Sequence, residues 1–336
     1  MSMAAFVYAT STARTQSLDV FLGAGPDDAQ TLLGYYMEPL VMGFSHGMSN
    51  GWANSARSHK FLGFDLTVSA SFAPIPPSKE YFIFNPSEYS HVNIAGESDR
   101  IPTIMGPAGG DGPELMFSYT DESTGHTFTT SFRPEGLGLK SQIGFNAVPT
   151  PVVQLSIGTL ANTDLIVRYV PEIRTGNFSS QLFGLGIKHD IKQWIPILRR
   201  VPIDLAVLGA FSGFDNRFDL KDSEMEGAEQ SATFNVNNWT VQGMISKKIS
   251  ILTLYGSVGY SAVCTGLRLN GTYTLRDTDY PEVSATFHNP VDLTYEQSSW
   301  RATAGLRVKA GFLTLHGDYT LQQYPLISAG LGFSVR

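Results

Sequence analysis

The stretch Ser298–Leu321, SSWRATAGLRVKAGFLTLHGDYTL, decides the fold. Read at every second residue it separates into two lists. Trp300, Ala302, Ala304, Leu306, Val308 and Ala310 form an apolar face. Arg301, Thr303, Gly305, Arg307 and Lys309 form a polar one with three positive charges. Period-two alternation is the signature of a strand with unlike faces.

The same period recurs along the chain. Leu62, Phe64, Leu66, Val68, Ala70 and Phe72 alternate with polar or small residues, as do Leu252, Leu254, Gly256, Val258 and Tyr260, and the final Ile327, Ala329, Leu331, Phe333 and Val335. These segments run about 9–12 residues, close to the length of a tilted strand that crosses a bilayer. Short turns near Asn162-Thr163, Lys247-Lys248 and Ala310-Gly311 alternate with polar stretches read as long loops at 214–230 and 263–298. "DIKQWIPILRRVP" (Asp190–Pro202) breaks this rhythm, and we read it as a short helix or ordered turn.

On the apolar parity, Phe72, Tyr169, Phe211, Tyr260 and Tyr319 end one set of strands, and Trp239 and Trp300 begin the other. Amphipathic aromatics at one height are what a headgroup interface selects. The apolar parity is therefore expected to meet lipid and the polar parity a lumen. A soluble β-sandwich, with the apolar face against a second sheet, is the competing architecture. Backbone groups in lipid must all be paired, so a sheet in that setting closes.

Composition fits this reading. The 336 residues are 42% hydrophobic and only 16% charged, below the usual quarter for soluble domains. A net charge of -7 offers no broad basic footprint for nucleic acid. One cysteine, Cys264, permits no internal disulfide. No apolar run is long enough for a spanning helix. Residues 1–16 read as a signal-peptide remnant or an untidy start. Residues 17–58 form a helical plug or hatch segment, with Leu32, Leu33, Tyr36, Met37, Leu40, Val41 and Phe44 recurring at helical spacing and Asp27 or Asp28 as the cap. Residues 59–336 form the barrel. The segment from Pro74 to Pro151 must hold an even number of crossings. Four give about fourteen strands in all, and two give twelve.

Several stretches resemble an uncharacterised family of outer-membrane proteins found in Bacteroidota. They include "LLGYYMEPLVMGFSHGMSNGWANSARSHKFLGFDLTVSASF", "NTDLIVRYVPEI", "GLGIKHDIKQWIP" and "WTVQGMISKKISILTLYGSVGYS". The layout is also similar to that of the long-chain fatty-acid transporter (FadL-like) barrels, which have an N-terminal hatch. The resemblance implies an all-β, antiparallel up-and-down transmembrane barrel in the bacterial outer membrane. It also implies passive passage of a small hydrophobic or amphipathic solute. The alternative is a non-transporting accessory barrel that docks another envelope protein.

The lumenal parity collects Asp65, Arg168, Asp204, Arg301, Arg307, Lys309, His316 and Asp318. These are either a salt-bridge network that fills the barrel or a polar path for a solute, because lone charges in a narrow lumen are costly. Nothing in the sequence groups a nucleophile with a base, so no enzyme is expected. The histidines show no metal-ligand spacing and no motif calls for a cofactor.

Overall fold

A computed structural model describes residues 18–109, 112–121, 125–220, 226–277, 280 and 282–335. The segment read as a signal-peptide remnant lies outside them. After a 3₁₀ turn at Leu18–Ala24, helix α1 spans Pro26–Met48. Its cap is Gly25 at φ 78°, not an aspartate; Asp27 and Asp28 lie in the first turn. The Asp28 carboxylate instead accepts hydrogen bonds from the Ser90 and His91 N–H groups, at 2.9 and 2.6 Å.

The wall is antiparallel. Its strands are β1 (Phe64–Pro74), β7 (Ala147–Gly158), β8 (Thr163–Thr175), β9 (Phe178–Asp190), β10 (Asp204–Asp219) and β11 (Glu226–Ile249). They continue with β12 (Leu252–Arg276), β14 (Val291–Ala310), β15 (Leu313–Leu321) and β16 (Leu326–Val335). β1 pairs with β16 on one side and β7 on the other, and β11 pairs with β12, so the ring closes. The wall closes on itself instead of packing face to face on another sheet, and the sandwich reading falls.

Among the described residues the ring has ten strands, not fourteen or twelve. β13 (Ser284–His288), the eleventh member of the sheet, only extends β12 beyond the ring. Among the described residues, no strand between Pro74 and Ala147 crosses. β2 (Tyr81–Ile83), β3 (Val92–Ala95), β4 (Arg100–Pro102), β5 (Glu114–Thr120) and β6 (Thr127–Phe132) pair among themselves in two small sheets. At three to seven residues they are too short to span a bilayer, which takes about 9–11. They build a cap over the long-loop end of the barrel.

The stretches read as loops at 214–230 and 263–298 are largely strand. β10 runs on to Asp219, β11 begins at Glu226, β12 reaches Arg276 and β14 starts at Val291. Their alternation continues there with its sense reversed. On β14, Trp300, Ala302, Ala304 and Leu306 are exposed around buried Arg301 and Arg307. Above Trp300 the exposed residues become Ser298, Glu296, Thr294 and Asp292, while Val291, Leu293 and Tyr295 turn inward. β11 changes at the same height. Trp239, Val241 and Ile245 are exposed below, and Val236 and Phe234 pack inward above. The wall is thus apolar outside and polar inside along one belt, and polar outside and apolar inside beyond it.

Candidate functional site: the occupied lumen and the aromatic boundary

α1 enters from the long-loop end. Its first half packs Leu32, Leu33, Tyr36 and Met37 into a core shared with Phe117 and Phe132 of the cap and Leu269 and Tyr273 of the projecting β12. Fully burying side chains of this size stabilises by about 1.5–3 kcal/mol each. Its second half places Met42, Phe44 and Met48 against Val148, Phe214, Val236 and Val263 on the wall. Gly43 permits close approach to β7, since a Cβ there would fall 2.9 Å from Val148 Cγ2. Residues 50–63 then run down the lumen to the short-turn end, where the Leu62 N–H donates to the Gly158 carbonyl at 2.9 Å.

The helix ends in mid-lumen, where its carbonyls need donors. Two buried guanidinium groups supply them. Arg168 donates to the Met48 carbonyl at 2.8 Å and the Asn50 carbonyl at 2.5 Å. Arg301 donates to the Ser49 carbonyl at 3.0 Å and to Asn50 Oδ1. Both place positive charge at the negative end of the helix dipole. Arg168 also lies over the Trp52 ring, 3.7 Å from its centroid. The indole fits because Gly184 and Gly186 face it; a Cβ at Gly186 would sit 3.1 Å from Trp52.

Lower down, Arg307 pairs with Asp65 at 2.6 Å. Asp164, fully buried, takes Lys188 at 2.9 Å and His59 at 3.0 Å. Lys188 also donates to the Ser55 and Arg57 carbonyls, both at 3.0 Å. A cavity of about 20 Å³ remains among Trp52, His59, Asp65, Lys188 and Arg307. That is space for a water or so, not a solute path.

Of the eight residues read from the polar parity, Asp65, Arg168, Arg301, Arg307 and His316 are buried. Asp318 accepts a hydrogen bond from Tyr255 at 2.7 Å, and His316 lies 3.3 Å from Asn54. Lys309 donates to Ser334 at 2.9 Å near the short-turn rim. Asp204 lies at the same rim, half-buried and opposite Ser246 in the ladder. Sequence reasoning missed the Asp164, Lys188 and His59 cluster. Its signal was present: Asp164 and Lys188 stand opposite one another in the β8–β9 register and share the inward parity.

The seven aromatics occupy the outer wall. Tyr169, Phe211, Trp239, Trp300 and Tyr319 are exposed, and Phe72 and Tyr260 are half-buried. Phe211 stands opposite Trp239, and Tyr260 opposite Trp300. The Trp239–Tyr260 and Tyr260–Trp300 ring centroids are 5.9 and 5.5 Å apart. They mark the level at which the alternation reverses.

At the top of the lumen His46 is fully buried, stacked on Tyr324 with centroids 5.5 Å apart and hydrogen-bonded to Gln297 at 2.6 Å. Burial holds its imidazole below the ordinary value of 6.5.

Compared with known proteins, the chain matches the family of unknown function DUF6588 over residues 1–335. No curated protein matches it. Among solved structures it is similar to the translocator domain of the autotransporter NalP from Neisseria meningitidis. Identity is 10%, 96% of this chain and 100% of that chain are covered, and the TM-score is 0.30. Similarity to a Pseudomonas aeruginosa FadL homologue is 9% identity over 81% of this chain and 89% of that one, with a TM-score of 0.19. For Ail of Yersinia pestis the values are 10%, 81%, 97% and 0.25. At these scores the likeness adds nothing to what the closed ladder establishes.

Proposed function

From the premise that the chain belongs to the family of unknown function DUF6588, we propose that it is a sealed outer-membrane β-barrel that anchors a rigid external cap and conducts no solute at rest. The observation that carries this reading is the occupied lumen. α1, Trp52 and residues 50–63 take the space a solute would need, and buried charges tie them to the wall.

Support for a membrane setting comes from the exposed apolar belt, its aromatic upper boundary and the reversal of alternation there. The ten steps from Trp300 to Ala310 rise about 33 Å along the strand. With a tilt near 40° this gives a belt of about 25 Å, the height of an outer-membrane apolar band. Long connections face outward in such barrels, which puts the cap outside and the short turns in the periplasm. The cap and projecting strands then offer the surface for an envelope partner.

Passage of a small amphipathic solute would require the lumenal segment to leave. Purified chain in a planar bilayer is therefore expected to show no steady conductance, and its gel migration to slow only after boiling. A stable open pore in the intact chain would overturn the sealed reading. Absence of heat-modifiable migration, with the chain in the soluble fraction, would overturn the membrane setting.

A further inference from the structure

The turn Asp190–Pro202, out of rhythm in the sequence, has no role in sealing the lumen. It forms two 3₁₀ segments, Lys192–Trp194 and Pro196–Arg200. Trp194 is 68% exposed and Ile197 82%, far more than packing within the chain would leave. Trp194 packs on His189, with centroids 4.7 Å apart. His189 continues the outward parity of Leu185 and Ile187, both exposed on the belt. The turn therefore folds over the outer wall at the lower edge of the belt. Asn162 fixes it through Gln193 at 3.0 Å, and Thr163 fixes His189 at 2.8 Å.

This end of the barrel is basic in a chain of net charge -7. Lys60, Arg200, Lys247 and Lys248 are exposed around it, and Lys192 is half-buried, as are Asp190 and Asp204. Asp190 is engaged by the Lys192 N–H at 2.8 Å. An exposed indole and branched aliphatic beside cations, continuous with an apolar belt, suit the boundary of a negatively charged bilayer.

We propose that this turn and the neighbouring Lys247-Lys248 turn form a binding surface for anionic phospholipid headgroups in the periplasmic leaflet, with Trp194 and Ile197 inserted at the acyl boundary. The inference rests on the outer-membrane reading above. The cations bind phosphate-bearing headgroups, and the two apolar side chains replace contacts that water cannot supply.

The test is fluorescence quenching of the full chain in vesicles by brominated lipids, with either phosphatidylglycerol or phosphatidylcholine brominated. The difference between wild type and Trp194→Phe isolates Trp194, and Trp300→Phe isolates the belt. Trp194 is expected to be quenched more by brominated phosphatidylglycerol, by roughly threefold or more given a few cations at the surface. The variant K192Q/R200Q/K247Q/K248Q, checked for heat-modifiable migration, should lose that preference while Trp300 quenching stays unchanged. Quenching of Trp300 without Trp194, or equal quenching of Trp194 by both lipids, would overturn the proposal and leave the turn to a periplasmic protein. If Trp300 is not quenched either, the membrane setting itself falls.

Discussion

Arg168 and Trp52 meet face to face in the middle of the barrel, the guanidinium carbon 3.7 Å from the ring centroid. One residue belongs to the wall and the other to the segment that fills it. The same guanidinium holds the last helix carbonyls, so wall, helix end and lumenal segment share one cation.

Replacing Arg168 by Ala should therefore loosen the plug. The carbonyls of Met48 and Asn50 lose a charged donor in a buried site, a loss of about 2–3 kcal/mol. Chemical denaturation in detergent reads the stability, and bilayer recording should show intermittent conductance absent from the parent. A variant as tight and as stable as the parent would show that the guanidinium is not what holds the segment.

The glycine-lined recess for the indole gives a steric test. Gly186→Val should cost about 1–3 kcal/mol by overpacking against Trp52. Combined with Trp52→Ala it should cost less than the sum of the two single changes, because the clash partner is gone. Strict additivity would place the strain elsewhere.

The reversal of alternation predicts that cost depends on height. Val258 lies in the belt and Thr294 beyond it, and both side chains face outward. Val258→Arg should destabilise the folded barrel in lipid by about 2–4 kcal/mol and Thr294→Arg by about 0–1. Equal costs would erase the boundary at Trp239, Tyr260 and Trp300.

His46 predicts a pH response. Its folded-state value is lowered by burial, so the unfolded state binds the proton more readily. The stabilising contribution is full above the ordinary value of 6.5 and is lost as pH falls through the folded value. Acidification below about pH 6.5 should lower the melting temperature, and His46→Gln should flatten that dependence. A parent and variant with parallel pH profiles would remove His46 from the account.

The belt was legible because its code is local. From Leu254 to Tyr260 the apolar parity never slips, and which face is which follows from the residues alone. Above Tyr260 the code keeps its period but changes sign, since Val263, Leu267 and Leu269 now face a protein core and Arg268 faces water. A reading that follows one apolar parity sees the strand end there, although the ladder continues to Arg276. The cap was misread for the opposite reason: fragments such as "LMFSYT" and "HTFTTSF" have strand character, but their partners are one another. The polar parity located most of the lumenal charges. It could not show that Arg168 and Arg301 answer helix carbonyls instead of carboxylates, because those partners lie more than a hundred residues away.

The path of the chain ahead of β1 constrains how the barrel is made. Residues 18–41 are locked into the outer core, yet β1 starts at the opposite rim, so the connecting segment passes through the ring. A ring completed first has no bore wide enough to admit a helix already packed against the cap. The thread must be in place before the β1–β16 seam zips shut, which makes that seam the final stitch and the lumenal segment a mandrel on which the wall is wound.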